Sequence, residues 1–259
     1  MNWDKLNPFQ RHKEAHERSD VDSGPRAQHH RLGFGTNQAA PGNLALRRGE
    51  ATTLTGSGTW IPPAGLKVLR VICIGGGGAG GGADITVAAV CSAGGGGGSG
   101  AFTERTLETI PAEVIWSVGV GGIGVSGAIG NPGGTTDFGG LCTAGGGGGG
   151  SFSSAGTNVI AQGGTGGVAI APTDGGLQLA GGGSPGLYGI GIAGNARGGQ
   201  GARSWLGGGG RASSLNANGG SGSVARGSGG SGGNNSASQA TTKAGGDGGQ
   251  GVIILYYMF

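Results

Sequence analysis

A glycine motif that follows an apolar run is the first pattern in this chain that could carry chemistry. Gly75, Gly77 and Gly80 satisfy the spacing G-x-G-x-x-G directly after the run Val68–Ile74, which is the sequence half of a dinucleotide-binding fingerprint. The other half is a helix that starts at the glycines, and the β-branched residues 85–87 begin a helix poorly. In a chain with 71 glycines this spacing also arises by chance, so we predict no nucleotide cofactor.

The residues that usually perform acid–base or metal chemistry are sparse in the glycine-rich part. All four histidines precede residue 31, so a catalytic triad in the glycine-rich part would lack its base. His12 and His16 have a spacing that suits a metal on a helix, but a charged face that contacts solvent or a partner explains them better. Asp137, Asp174 and Asp247 stand singly among glycines, which argues against the carboxylate pair of a glycosidase. We therefore predict that the chain is not an enzyme and binds no metal or cofactor.

Aromatic and basic side chains between the glycine runs fit a binding surface better than a catalytic site. After Asp174 the chain has five basic residues and one acid, Asp247, so this part could attract a polyanion such as a phosphorylated glycan. Alternatively, isolated arginines keep a glycine surface soluble, and Trp205 caps the edge of a packed structure. Rigid aromatics beside arginines are typical of recognition loops. The candidate binding residues are Tyr188, Arg197, Arg203, Trp205 and Arg211.

The elements that position these side chains must be built largely from glycine. Charged residues make up only 11% of the chain, and dense Val/Ile segments separate the glycine runs, unlike the composition of a disordered chain. Ordering glycine costs more backbone entropy than ordering any other residue, so the chain must use it where a side chain would not fit. We predict a lattice of closely packed, polyproline-II-like strands whose N–H and C=O groups bond to neighbouring strands.

Short apolar runs between the glycines predict a small β-sheet framework around this lattice. The run Val68–Ile74 is typical of a buried strand, and Ala101–Leu107 alternates as an edge strand does. The closing run Val252–Tyr257 is too apolar for a free tail, so we expect it to pair with the early sheet. The predicted fold class is mostly β, a small sheet framework with a glycine lattice over residues 51–259.

Residues 1–50 differ from the rest and form a second predicted unit. Asn7 as N-cap and Pro8 as first helical residue predict a short helix to about Arg18. The segment after it is typical of an extended arm that becomes ordered against a partner, with a disordered tail as the alternative. The start of the chain is polar, so we expect no signal peptide, and no apolar run is long enough for a membrane span. The candidate anchoring residues of the arm are Trp3, Phe9, His29, His30, Leu32 and Phe34.

The segment Gly58–Gly65, followed by an apolar strand and the glycine run 75–82, resembles glycine-rich minor tail proteins of bacteriophages. Residues 133–139 and 248–254 carry the same resemblance, which covers Thr52–Tyr257. The arm segment 32–43 is similar to segments of tail-fibre and tail-tip proteins. The resemblance to adhesins of this kind implies a polyglycine-II sandwich whose variable loops touch the host receptor. This chain departs from them in having its own N-terminal arm and no heptads for a trimeric stalk.

The resemblance implies a function as a virion tail protein. Residues 1–50 would anchor the chain to other tail or baseplate proteins, and loops within 187–205 and 213–243 would contact a bacterial glycan or outer protein. It also implies a homo-oligomer, with a trimer as the common state of tail parts, and assembly in the host cytoplasm, a reducing compartment in keeping with three widely spaced cysteines. Neither nucleic acid nor a membrane is an expected partner.

Two other classes of function remain open from the residues. The first is a purely structural tail-tip or baseplate-attached protein without a receptor. The second is a non-viral glycine-rich protein, either at a cell surface or bound to RNA. Arg197-Gly198-Gly199 and Arg226-Gly227 are similar to RGG segments, although no aromatic residues are interleaved to stack on bases.

Overall fold

The computed structural model describes residues 51–222 and 225–259. The predicted helix Pro8–Arg18 and the six candidate anchoring residues of the arm lie outside the described residues. Everything below therefore concerns the glycine-rich part of the chain.

The described residues form an all-β structure in which no helix occurs. This confirms the prediction of a mostly β fold, with several small antiparallel sheets as its framework. The strands are β1 Ala51–Leu54, β2 Ser57–Trp60, β3 Val68–Ile74, β4 Ser92–Ala93, β5 Phe102–Leu107, β6 Val114–Ser117, β7 Thr136–Phe138, β8 Cys142–Ala144, β9 Asn158–Ala161, β10 Ala169–Ile170, β11 Leu179–Gly181, β12 Gly189–Ile192, β13 Asn195–Arg197, β14 Asn234–Asn235 and β15 Val252–Met258.

Two five-stranded antiparallel sheets form a sandwich. The first has the order β1-β15-β3-β5-β11 and the second the order β10-β8-β7-β6-β2. The closing strand pairs with the early sheet as predicted, because β15 runs along all of β3 from Val252 opposite Ile74 to Met258 opposite Val68. The predicted edge position of β5 is wrong, since β11 pairs with its outer side at Phe102–Glu104.

The core lies between the two sheets. Side chains such as Leu69, Val71 and Leu255 from the first sheet meet Phe138 and Val114 from the second. Such apolar alternation buries one face of each strand and leaves the other outside.

Aromatic and thiol side chains complete this core. The Trp60 and Tyr257 rings stack with centroids 6.3 Å apart, and Trp60 Nε1 donates a hydrogen bond of 3.2 Å to the Tyr257 hydroxyl. Cys73 Sγ donates to the carbonyl oxygen of Cys142 at 3.1 Å. Burial raises the pKa of the Cys73 thiol well above its ordinary value, so this cysteine is a small neutral core residue.

The glycine runs lie outside the strands and share one hydrogen-bonding pattern, seen most clearly from Gly75 to Ala83. Successive N–H groups of this run donate to three neighbouring segments in rotation, at 2.8–3.0 Å. Residues 75, 78 and 81 donate to residues 101, 98 and 95, residues 76, 79 and 82 donate to 134, 131 and 128, and residues 77, 80 and 83 donate to 249, 246 and 243. The pattern therefore repeats every three residues, whereas a β-strand alternates between two sides.

Each sandwich strand at the centre of the fold continues directly into one of these runs. β3 leads into residues 75–83, β5 follows residues 94–101, and β15 follows residues 243–251. The opposite ends of the runs carry the loops 84–91, 153–157 and 236–242 together with two small sheets, β13-β12-β9 and β14-β4. We call this the distal end. The described chain enters at the other end, where Ala51 pairs with Tyr256 on the far side of the sandwich from the runs.

Candidate binding surface

The three-stranded sheet β13-β12-β9 forms one side of the distal end. Its inner face carries Val159, which packs with Cys91 and Ala93 beside β4. Gly191 in the central strand leaves room for this contact, since a Cβ there would lie 2.6 Å from Cys91 Sγ. Strict alternation along β9 and β12 then sends the remaining side chains to the opposite, outer face.

The outer face of this sheet is apolar and exposed. Ile160, Ile190 and Ile192, which we call the isoleucine face, are 72%, 49% and 61% exposed. Ile190 lies opposite Ile160 on one side and opposite Arg197 on the other. Exposed apolar patches with a polar rim mark interaction sites more often than bare surface. Three β-branched side chains on one small sheet therefore indicate a contact surface.

A cavity of about 230 Å³ lies beside the isoleucine face. It combines an apolar wall, an aromatic ring, a guanidinium group and a carboxamide. None of its lining residues carries a carboxylate, an imidazole or a thiol. The guanidinium supplies a planar fork of donors that fits a phosphate or a carboxylate. The lining residues are Leu187, Tyr188, Ile190, Arg197, Gly198, Gln200 and Ala212.

The structure brings together some of the residues that the sequence selects as binding candidates and separates others. Tyr188 and Arg197 line the same cavity, and Arg211 is exposed directly before the lining residue Ala212. Trp205 lies elsewhere, because its ring stacks on Phe102 of β5 with centroids 4.4 Å apart. It remains 69% exposed, and through this contact it covers part of the outer face of the first sheet.

Arg203 belongs to a line of side chains that starts at Arg197. Residues 198, 199, 201 and 202 are buried, whereas Arg197, Gln200 and Arg203 are exposed. The backbone hydrogen bonds repeat at the same interval of three residues, since Gly199 N donates to Gly94 O and Ala202 N donates to Gly97 O. We call Arg197, Gln200 and Arg203 the arginine ridge.

Two features of this surface were missed at the sequence level. The isoleucine face carries a local signal, the alternation Gly189-Ile-Gly-Ile192, but alternation alone does not say which face is covered. Gln200 also has a signal, because R-G-G-Q-G-A-R places a side chain at every third position from Arg197 to Arg203. This three-residue repeat places Gln200 in one group with Arg197 and Arg203.

Among the residues that the structure describes, the charges of this surface have no partner of opposite sign. Within residues 51–222 and 225–259 the ion pairs are Arg70–Glu104 at 2.7 Å and Arg105–Asp174 at 2.6 Å, both involving strands of the first sheet. The Arg105 guanidinium holds the pKa of Asp174 below its ordinary value. The ridge arginines are therefore free to bind an anion from outside.

Two further kinds of site are absent from the described part of the chain. Its residues contain no group of three or more His, Cys, Asp and Glu that could hold a metal ion. None of its segments is a helix of the length and apolarity that a membrane crossing needs.

Comparison with known protein families gives a match. A family profile described as a glycine-rich domain matches residues 52–258, which is nearly the whole described part. No curated protein matches the chain.

Proposed function

This chain belongs to the glycine-rich domain family, and we propose that it is a structural protein of a bacteriophage tail whose distal end contacts the host cell. The sequence resemblance to minor tail proteins at Gly58–Gly65, 133–139 and 248–254 supports the location in a tail. The proposed role is that of a tail-fibre or tail-tip component without enzymatic activity, cofactor or metal.

The proposal assigns the glycine runs to a polyglycine-II lattice. The three-residue rotation of N–H donors from Gly75 to Ala83 supports this assignment, because a threefold extended helix presents its donors to three directions in turn. The central run also receives N–H groups from other neighbours, such as Gly147 at Gly76 O and Gly230 at Gly78 O. Surrounded in this way, nine residues would span about 28 Å at a rise of about 3.1 Å per residue.

The observation that carries the proposal is the separation of the two ends of the described fold. The chain enters at the sandwich, where Ala51 pairs with Tyr256, and the exposed loops and the isoleucine face lie at the distal end. A run whose successive N–H groups all bond to neighbouring segments, as those of Gly75–Ala83 do, is a stiff spacer between an attachment and a contact surface. Residues 1–50 would supply the attachment to other tail or baseplate proteins after assembly in the host cytoplasm, and three copies in a trimer would present three contact surfaces.

The test separates incorporation into virions from adsorption to cells. A phage that carries the double variant Tyr188→Ala, Ile190→Ser should assemble with a normal content of this protein and lose at least tenfold in adsorption rate. Ile115→Ser is the control, since Ile115 is also an exposed isoleucine, 73% accessible on β6 of the sandwich. Normal adsorption by the double variant would instead favour a purely structural tail component.

A further inference from the structure

We propose that the arginine ridge binds a phosphorylated glycan along its length. This inference rests on the proposed function for the source of the ligand, a bacterial surface. The ridge is formed by residues of this chain alone, within 187–203. Its binding can therefore be tested with the purified protein, without a virion.

The ridge has a fixed repeat. Two backbone hydrogen bonds hold the buried residues between the exposed side chains. Gly199 N donates to Gly94 O and Ala202 N donates to Gly97 O, both at 2.9 Å. With a rise of about 3.1 Å per residue, successive ridge positions lie about 9 Å apart and the two arginines about 19 Å apart. A polymer with charges at intervals suits such a repeat better than a small molecule does.

Within the part of the chain that the structure describes, no acid forms an ion pair with the ridge arginines. After Asp174 the only acid in the sequence is Asp247, and its Oδ1 accepts the N–H of Gly124 at 2.7 Å, on a different run of the lattice. Unpaired arginines with no acid between them raise the local concentration of an anion. Each guanidinium donates up to five hydrogen bonds in a fork that matches phosphate oxygens.

The cavity at the Arg197 end suits a sugar phosphate. Its polar groups are the guanidinium of Arg197, the carboxamide of Gln200 and the hydroxyl of Tyr188, a set rich in donors for a group that has several acceptor oxygens. The Tyr188 ring and the isoleucine face offer apolar surface to the carbon side of a sugar ring. A single-stranded polynucleotide would need an aromatic platform for each base, and between Arg197 and Arg203 the ridge presents only Gln200.

The experiment measures binding of the purified full-length chain to phosphomannan, to the same glycan after dephosphorylation, to polygalacturonate and to polyuridylate. We expect phosphomannan to bind most tightly. The variant Arg197→Gln, Arg203→Gln should weaken that binding at least tenfold, with an unchanged thermal midpoint. The control Lys67→Gln, Arg70→Gln removes the same charge from the sandwich, where both residues are exposed, and should change the affinity less than twofold.

Four results would overturn the proposal. Equal weakening by both variants would mean that net charge alone drives binding. Equal binding of the dephosphorylated glycan, tighter binding of polygalacturonate or tighter binding of polyuridylate would exclude a phosphorylated glycan as the preferred ligand. Failure of the proposed function gives a different result, namely ridge-dependent glycan binding in vitro with normal adsorption of virions that carry the ridge variant.

Discussion

Gly78 lies in the proposed lattice at a position where a methyl group has no room. A Cβ built there would lie 2.0 Å from the carbonyl oxygen of Gly148, and that oxygen belongs to backbone that is itself hydrogen bonded. The φ angle at Gly78 is not in the left-handed region, so the need for glycine is one of contact and not of conformation. Gly208 differs, because nothing lies within 4 Å of a Cβ there and its φ is also ordinary.

This difference gives a prediction for two chemically identical substitutions. Gly78→Ala should lower the free energy of unfolding by about 3 kcal/mol, the upper end of overpacking costs, because the neighbouring atoms are backbone and cannot rotate away. Gly208→Ala should leave it unchanged or raise it by about 0.5 kcal/mol by restricting the unfolded chain. Urea denaturation of both variants measures this, and equal loss of stability in the two would contradict the close-packed lattice.

At the scale of single residues, part of the candidate binding surface can be predicted from the sequence. Tyr188 and Arg197 stand out because an aromatic and a cation among glycines have few structural uses. Ile190 and Ile192 do not stand out, since an isoleucine in a strand is usually core. Their exposure depends on which side of β12 packs against Cys91, a contact between residues about a hundred positions apart along the chain. No local pattern contains that information.

Among the elements, the two sheets of the sandwich depend on one tightly packed interface. Phe138 on β7 is completely buried and meets the Trp60 ring with centroids 5.6 Å apart. Both sheets place small side chains around it, such as Cys73, Cys142 and Ala144. This three-residue strand is held by pairing with β6 and β8 and by the ring that fills the space between the sheets.

Phe138→Ala should therefore lower the free energy of unfolding by about 3–5 kcal/mol, the usual cost of removing a buried aromatic ring. Ile115→Ala on the neighbouring strand β6 should cost less than about 1 kcal/mol, because Ile115 points away from the core and is 73% exposed. Tryptophan fluorescence in a urea titration follows both variants. Comparable costs at the two positions would mean that the sheets do not pack as described.

The strands illustrate how far elements can be derived from the sequence. The pairing of β15 with β3 follows from two long apolar runs that each need a covered face. The neighbour of each glycine run cannot be derived in this way, because the runs are chemically alike and any of them could bond to any other. Their order is set by the strands that continue into them, so residues 95–101 reach Gly75–Gly81 only because β5 pairs with β3.

For the whole described fold, this continuity makes the sandwich and the lattice one cooperative structure. β3 cannot separate from β5 and β15 without also withdrawing residues 75–83 from residues 94–101 and 243–249. Local opening of the lattice alone would leave many backbone groups without partners in a region that buries only a few small side chains, such as Ala79 and Ala83. The lattice therefore has no route to unfold that spares the sandwich.

Hydrogen exchange followed by mass spectrometry tests this coupling in the full-length protein. The amides of residues 75–82 should exchange with the same opening free energy as those of β3, because both are released only by global unfolding. Gly78→Ala, which acts in the lattice, should lower the opening free energy of both segments equally. Phe138→Ala, which acts in the sandwich, should do the same. Faster exchange of residues 75–82, or a Gly78→Ala effect confined to them, would show that the lattice opens alone and could not serve as a stiff spacer between the sandwich and the distal end.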